Sequence, residues 1–342
     1  MGEKSSDLPV SMKDVAKACG LSVVTVSRAL KGDRNHSAET RERVLKMAEQ
    51  LGYRINPLVA ALMSARGRHK PAKGTVNLAL IDPGGDWPGH PFYEGAVSQA
   101  AALGYSIEMF KLAKGANGGR LRKILQARGV RGVIVLPAPE PQRRLEIDLG
   151  EFAAVTIGYS VIAPDMPRVV TDTYGRFMEA LTKAGERGYR RIGVVSTEDL
   201  DRRFQHLNTA ATLVYRSLCK GDTEVVCLAV DHEASDQANA KEVCRWARRE
   251  SVDAILSQAG LCHELLLRGL KIPEEVGYVH LHLSADPQIT CMDQNQDWIG
   301  RKATDVVVGM INRNEFRIPA QSQTIMIPSV WRAGTTLPVR AR

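Results

Sequence analysis

The segment from residue 11 to residue 30 carries side chains whose types and spacing suit contact with a nucleic acid. Val23, Val24 and Thr25 fall in the first turn of a short helical pattern, and Arg28 follows one turn later. Valine can contact thymine methyl groups, and a guanidinium can donate two hydrogen bonds to guanine O6 and N7. Free backbone amides at the start of a helix also bind phosphate. These residues predict reading of base edges in the major groove of DNA.

Three short helical patterns must position these side chains. The first spans residues 11–19 and stops at a glycine, and the second covers Val23–Leu30 after Ser22, a residue type that caps helices. The third spans residues 37–51. A helix, a glycine-containing turn and a second helix form the geometry that inserts the second helix into a groove. A small three-helix bundle with a solvated arginine is the alternative reading.

Positive charge is concentrated at the same end of the chain. Residues 1–70 carry thirteen Lys and Arg against seven Asp and Glu, a net charge of +6, whereas the remainder of the 342-residue chain has a net charge of +2. A basic end on a nearly neutral body favours a polyanionic partner. A soluble basic domain without such a partner would show the same charge.

The cysteines and the N-terminal sequence indicate the compartment. The six cysteines are widely spaced, without metal-binding spacing, and suit small core side chains in a reducing environment: Cys19, Cys219, Cys227, Cys244, Cys262 and Cys291. The N-terminal residues lack the apolar stretch of a signal peptide, and no run of about eighteen apolar residues occurs. We therefore expect a cytoplasmic protein with no membrane partner, no metal and no cofactor.

From residue 75 onward, apolar strand patterns alternate with helical patterns. The predicted strands are residues 76–81, 133–136, 153–157, 192–195, 225–230, 254–256 and 276–281, separated by helical patterns such as 93–103, 177–187 and 238–249. Continuous apolar strands with helical crossovers predict parallel sheets covered on both faces. A segment of this length exceeds one comfortable core, so we expect an α/β fold in two lobes behind an all-α headpiece.

The run from residue 11 to residue 56 closely resembles the headpiece of the lactose-repressor (LacI/GalR) family. The resemblance lies in the segments KDVAKACGLSVVTVSRALKG and SAETRERVLKMAEQLGYRINP, and it continues more weakly to WRAGTTLP near the C-terminus. It implies a transcriptional regulator with a helix-turn-helix headpiece. Such a protein binds a pseudo-palindromic operator in double-stranded DNA as a homodimer and represses, or sometimes activates, transcription.

The resemblance also implies roles for individual residues of the headpiece. Val23, Val24 and Arg28 match positions that read bases in the family, and Thr25 lies beside them. The residues that match phosphate contacts of the family are Ser11, Ser22, Ser27, Tyr53 and Asn56. The last two equally suit packing and capping at helix ends.

A hinge is expected after the headpiece, because Asn56 and Pro57 form a strong helix start. In the family this segment folds on the operator, and a leucine, matched here by Leu62, wedges into the minor groove and kinks the DNA. A helix this short is marginal alone in water, which fits folding coupled to binding. Val59 replaces the small alanine of the family, which leaves the depth of insertion open. The following basic residues either contact phosphate or are solvated: Arg66, Arg68, Lys70.

For the body, the resemblance implies a periplasmic-binding-protein-like fold whose cleft holds a small-molecule effector at the carboxyl ends of the strands. Trp87 and Phe92 either offer aromatic faces to a sugar-like or base-like effector or are structural. Asp172 either binds the effector or pins the chain where it crosses between lobes. The other predicted contacts are Asn208, His282 and Gln294. The first two replace charged ligand-binding residues of many relatives, which argues against a plain pentose or hexose and leaves open a carbohydrate derivative, another ligand or no ligand.

These observations predict a headpiece at residues 1–56, a hinge and basic linker at 57–74, and a sensing and dimerisation body at 75–342. The predicted lobes comprise residues 75–171 with 292–324, and 172–291 with 325–336. A solute-binding or sugar-handling protein with an incidental N-terminal bundle is the main alternative, which the missing export signal disfavours. An enzyme is the third, although the chain has no phosphate-binding glycine loop, zinc spacing or nucleophile elbow.

Overall fold

The computed structural model describes residues 12–30, 38–51, 76–85, 87–218, 223–258, 260–319 and 321–340. The chain divides into two compact units, residues 1–72 and 73–342. We refer to them as the headpiece unit and the body. Within the described residues, no helix is both long and apolar enough to cross a lipid bilayer.

The headpiece unit contains the three predicted helices. They are α1 (Met12–Cys19), α2 (Val23–Leu30) and α3 (Ala38–Gln50). Gly20 ends α1 with φ +65°, a left-handed conformation that glycine adopts without strain. The three helices pack through small and β-branched side chains at helical spacing: Val15, Ala16, Cys19, Val26, Ala29, Val44 and Ala48. The periodic apolar residues of the sequence therefore form one small core.

The body is an alternation of strands and helices. Its strands are β1 (Val76–Asp82), β2 (Tyr105–Lys111), β3 (Gly132–Val135), β4 (Arg143–Arg144), β5 (Ala153–Ile157), β6 (Val161–Ala163), β7 (Arg168–Thr171), β8 (Arg191–Ser196), β9 (Glu224–Ala229), β10 (Ala254–Ser257), β11 (Gly277–His280), β12 (Cys291–Asp293), β13 (Thr324–Ile327) and β14 (Val330–Arg332). Its helices are α4 (Pro91–Ala102), α5 (Gly118–Ala127), α6 (Thr173–Glu186), α7 (Glu198–Arg203), α8 (Leu207–Leu218), α9 (Asp236–Arg249), α10 (Cys262–Leu267) and α11 (Gln296–Asn312).

Two six-stranded sheets form the cores of two lobes. The first sheet is parallel, in the order β13-β7-β5-β3-β1-β2, and the second has the order β14-β12-β11-β10-β8-β9 with only β14 antiparallel. Their central strands are buried along their whole length, as in β3, β5 and β10. The continuous apolar runs of the sequence thus lie between two helical layers, as predicted.

Close packing of α4 against α11 depends on two glycines. A Cβ at Gly95 would lie 2.1 Å from the carbonyl oxygen of Asp297, and one at Gly300 would lie 2.1 Å from that of Phe92. No side chain fits at either position, so the two helix backbones touch. This contact fixes the start of both helices.

The chain crosses between the sheets in three described places, here named the crossing segments: residues 171–173, 293–296 and 327–330. Hydrogen bonds join these segments. Asn295 Nδ2 donates to the Pro328 carbonyl at 2.9 Å, and the Asp172 amide donates to the Ile327 carbonyl at 2.9 Å. The Thr171 and Ser329 hydroxyls lie 3.3 Å apart. The three connections therefore form one bonded unit.

Strand pairing moves two of the predicted lobe boundaries. Residues 292–293 lie in β12 of the second sheet, although the sequence placed them in the first lobe. Residues 325–327 lie in β13, paired with β7 of the first sheet, although the sequence placed them in the second. Both strands are short, and their sheet is determined by their pairing partner, which composition does not reveal.

Candidate functional site: a helix for DNA and a cleft in the body

The predicted DNA-reading helix α2 begins at a side-chain cap. Ser22 Oγ accepts a hydrogen bond from the Thr25 amide at 3.1 Å and lies 2.9 Å from the Thr25 hydroxyl. One of the free amides of the first turn is satisfied in this way. Val26 and Ala29 are buried against the other helices, whereas Val23 is 39% exposed. An apolar β-branched side chain thus lies outside the headpiece core at the start of α2.

The remaining predicted DNA contacts are only partly within the described structure. Val24, Ser27 and Arg28 belong to α2, and the contacts predicted for their side chains stay predictions. Five further predicted residues lie outside the described residues, namely Ser11, Tyr53 and Asn56 for phosphate and Val59 and Leu62 for the minor groove.

In the body, a cavity of about 280 Å³ opens at the carboxyl ends of strands from both sheets. We call it the cleft. Its described lining comprises Trp87, His90, Phe92, Pro137, Ile157, Gly158, Tyr159, Ser160, Val169, Val170, Thr171, Leu200, Arg203, Phe204, His282, Gln294, Gln296 and Ile299. This edge is where open α/β sheets hold ligands, because several loops converge there.

The loop after β1 holds Trp87 in the cleft wall. Asp82 is 1% exposed, and its Oδ1 accepts hydrogen bonds from Trp87 Nε1 at 2.8 Å, the Gly84 amide at 2.8 Å and the Gly85 amide at 2.7 Å. A Cβ at Gly85 would lie 2.5 Å from the Trp87 ring. The indole position is therefore set by one buried carboxylate and one glycine.

Three rings form an aromatic wall on the first lobe. The ring centroids of Trp87 and His90 are 5.0 Å apart, those of His90 and Phe92 are 4.9 Å apart, and those of Trp87 and Phe92 are 6.3 Å apart. His90 Nδ1 caps α4 by accepting from the Phe92 amide at 3.2 Å. Burial lowers the pKa of His90, which favours a neutral ring. The wall offers flat, uncharged surface to a ligand.

The facing wall contains the half-buried His282, which is paired with the buried Gln294. Gln294 Nε2 lies 2.8 Å from His282 Nδ1, so the amide donates and this ring nitrogen accepts. Burial, then the positive charge of Arg176 and the neighbouring His280, hold the pKa of His282 well below its usual value. The imidazole is thus neutral, with its proton on Nε2.

Two of the predicted effector contacts lie outside the cleft lining. Asp172 caps α6, because its Oδ1 accepts from the Gly175 amide at 2.9 Å, and its own amide bonds β13. Asn208 is buried in α8 and donates to Gln258 Oε1 at 3.3 Å. The structure therefore brings Trp87, Phe92, His282 and Gln294 together and leaves these two apart. The bonds of Asp172 match the second of its two expected roles, in which it holds the chain where it crosses between the lobes.

Sequence reasoning missed the part of the cleft contributed by α7. Arg203 and Phe204 line the cleft from the end of this short helix, which Thr197 begins by accepting from the Leu200 amide at 3.2 Å. Tyr159 and the crossing-segment residues Thr171 and Gln296 were also missed. The position of α7 in the sequence could have indicated its role. It directly follows the predicted strand 192–195, and the segments after the strands of such a sheet converge on the cleft.

Comparison with known proteins gives these two sites a context. Residues 11–56 match the family model described as bacterial regulatory proteins, lacI family. The HTH-type transcriptional regulator CelR of Thermobifida fusca is 26% identical over 322 residues, covering 88% of this chain and 92% of CelR. The chain is therefore similar to the LacI family in its headpiece, and to CelR over most of its length. These two matches are to transcriptional regulators, and the family match lies in the helix-turn-helix headpiece.

Solved structures of LacI-family proteins share the fold. The CelR–cellobiose complex matches with a TM-score of 0.57 at 20% identity, covering 96% of this chain and 99% of that one. The lac repressor dimer bound to operator and the anti-inducer ONPF matches with a TM-score of 0.58 at 16% identity, covering 97% and 100%. The fold is therefore a helix-turn-helix headpiece with a periplasmic-binding-protein-like body.

Proposed function

We propose that this protein is a cytoplasmic LacI-family repressor that binds a pseudo-palindromic operator as a homodimer. Each protomer inserts α2 into a major groove, with Val23, Val24, Thr25 and Arg28 reading bases. The observation that supports this assignment is the Ser22 cap at the start of a helix whose first residue is 39% exposed. A cap of this kind presents the remaining free amides to a phosphate.

The hinge and linker extend the same proposal. Asn56 and Pro57 would begin a helix on the operator, and Leu62 would enter the minor groove beside Val59. Phosphate contacts from Ser11, Ser22, Ser27, Tyr53 and Asn56 would position the headpiece without reading sequence.

The homodimer has support from exposed apolar side chains in the second lobe. Leu266 and Leu267 of α10 are 42% and 80% exposed, and Leu283, which follows β11, is 47% exposed. Exposed apolar residues of this size on a regulator fit a surface that a second copy covers. A symmetric pair also matches the symmetry of a palindromic site.

We propose that the cleft binds a small-molecule effector that changes operator affinity. Thr171, Gln294 and Gln296 line the cleft and belong to the crossing segments, so a ligand held there contacts the connections between the lobes. Differential binding to two lobe arrangements would shift their populations. Similarity to the CelR–cellobiose complex supports a cleft ligand of small size.

A selection of operators tests the DNA-binding part of the proposal. The purified full-length protein should retain particular duplexes from a random library, and Arg28→Ala should weaken binding to the selected duplex about 5- to 150-fold, or about 1–3 kcal/mol. Arg249→Ala, on the exposed end of α9, is the matched control and should bind as the parent does. Indifference of the parent to every duplex at low ionic strength would refute the proposal.

A further inference from the structure

The charge of the cleft is unusual for a site that would hold a neutral polyol. Among the described residues that line it, Arg203 is the sole charged side chain, and none carries a carboxylate. Hydroxyl groups of a polyol donate hydrogen bonds, and carboxylates are strong acceptors for them. The described lining instead offers a fixed cation and neutral side chains.

Arg203 makes no direct ion pair within the described part of the chain, and only the more distant charges of Asp199 and Glu140 act on it. Its Nε is buried and makes no hydrogen bond there. The two nearby acids are engaged elsewhere, because Asp199 pairs with Arg202 and Glu140 pairs with Arg143 at 3.2 Å. A half-buried guanidinium without a partner is unfavourable until an anion reaches it.

A second cation lies directly behind the cleft wall. Arg176 is 1% exposed, and its guanidinium lies 5.7 Å from the ring centroid of Phe204, which lines the cleft. Its Nη1 donates to the Leu281 carbonyl at 3.0 Å, whereas Nε and Nη2 have no partner among the described atoms. Burial lowers its pKa to about 9, which leaves it protonated at neutral pH. Asp172 partly offsets the charge of Arg176, so Arg203 carries the direct positive charge of the cleft and Arg176 adds to it from behind the wall.

The shape and surface of the cleft restrict the ligand further. Its volume of about 280 Å³ is at the small end of ligand sites and suits a molecule with one ring. Trp87 and Phe92 present aromatic faces from the first lobe, and Phe204 presents one from the second. A flat ring can pack against both walls.

We propose that the effector is a small ring compound bearing a carboxylate, with the ring against Trp87, Phe92 and Phe204 and the carboxylate on Arg203. One lining guanidinium balances the single negative charge of a carboxylate. Gln296, whose Nε2 donates to Gln294 Oε1 at 3.1 Å, offers its amide oxygen as an acceptor for the remaining polar groups of the ligand. This inference rests on the proposed effector function and narrows the chemistry of its ligand.

Matched ligand pairs test the charge requirement on the full-length protein. Calorimetry with benzoate against benzamide, and with glucuronate against glucuronamide, should show at least about tenfold tighter binding of the acid in one pair. The pair that shows the preference identifies the ring as aromatic or as a sugar. Equal affinity for acid and amide in both pairs, tighter binding of neutral cellobiose, or no binding of any acid would overturn the inference.

Variants assign the preference to Arg203. Arg203→Gln should abolish the tighter binding of the acid relative to its amide, and Arg203→Lys should retain part of that preference. Arg249→Gln, on the exposed end of α9 and outside the lining, should keep all of it. An unchanged preference in Arg203→Gln would contradict the assignment, and if that variant does not fold, the preference of the parent still decides the ligand class. Operator binding measured without ligand tests the proposed function separately, so the two can fail independently.

Discussion

At the residue scale, the cleft is built from side chains whose protonation is set by burial. His282 is enclosed next to Arg176 and His280, and His90 lies within an aromatic wall. The pKa of each of these histidines is lowered, with burial as the first cause. Neutral rings in the folded protein link stability to pH, since the unfolded chain binds protons more readily.

We expect His282→Gln to reduce the loss of unfolding free energy that occurs as the pH falls below 6.5. The unfolded histidine titrates near pH 6.5, and the folded one well below it, so its contribution is complete above pH 6.5 and is lost as the pH falls toward the folded pKa. The slope per such group is about 1.4 kcal/mol per pH unit. Urea unfolding from pH 7.5 to pH 5 measures it. The exposed His263→Gln is the control, and an unchanged loss of unfolding free energy in His282→Gln would contradict the expectation.

Individual site residues could be foreseen from the sequence when they followed a recognisable strand or matched a position of the resembled family. Trp87 and His282 come after apolar strands, and Gln294 was placed by resemblance, and all three line the cleft. Arg203 and Phe204 belong to a short polar helix whose approach to the cleft depends on the packing of the second lobe. Asn208 was assigned from alignment, and the structure turns it toward Gln258 because of the orientation of α8.

At the scale of elements, the headpiece helices follow directly from local sequence. The 3.6-residue apolar spacing agrees with α1, α2 and α3, and among the described residues the Gly20 stop and the Ser22 cap agree with the end of α1 and the start of α2. The strands that the sequence did not reveal are mostly at sheet edges or only a few residues long. β2 is largely half-buried rather than apolar throughout, and β13 alternates exposed with half-buried residues. Their pairing, rather than their composition, defines them.

Substitution of the α2 cap separates helix stability from phosphate contact. Ser22→Ala should destabilise the headpiece by about 1 kcal/mol and weaken operator binding, because the Thr25 amide loses its acceptor. Ser22→Asp should keep the cap but weaken operator binding, since its charge repels phosphate. Thermal unfolding and operator titration check both expectations.

The matched control for the α2 cap is Ser235, whose Oγ caps α9 by accepting from the Ala238 amide at 3.2 Å. Ser235→Ala should cost similar stability in the body and leave operator affinity unchanged. If Ser22→Asp bound the operator as tightly as the parent, Ser22 would have a structural role alone.

At the scale of the whole molecule, positive charge is concentrated at the end of the chain that contains the helix-turn-helix headpiece. The first seventy residues hold a net charge of +6, and the remaining residues hold +2. The alternation of strands and helices was sufficient to predict a two-lobed α/β body, because parallel sheets need crossovers. The lobe to which each late strand belongs was not predictable, since it depends on contacts between residues far apart in sequence.

Operator affinity should fall steeply with salt if the basic end neutralises phosphates. Between 50 and 200 mM salt, we expect a loss of at least about tenfold for the dimer, because bound counterions are released from DNA on association. Operator titrations at several salt concentrations give the slope. Thermal unfolding over the same range is the control and should change little, and a salt-independent affinity would exclude phosphate contacts as a main source of binding.

The bonded crossing segments have a consequence for the mechanics of the body. Asn295 holds Pro328, and Asp172 holds Ile327, so rotation about one connection must be accompanied by rotation about its neighbours. The lobes then turn about these connections together, and the stiffness of that motion is set by the side-chain and backbone hydrogen bonds that join the crossing segments. Release of a ligand would be timed by that stiffness as well as by the contacts in the cavity.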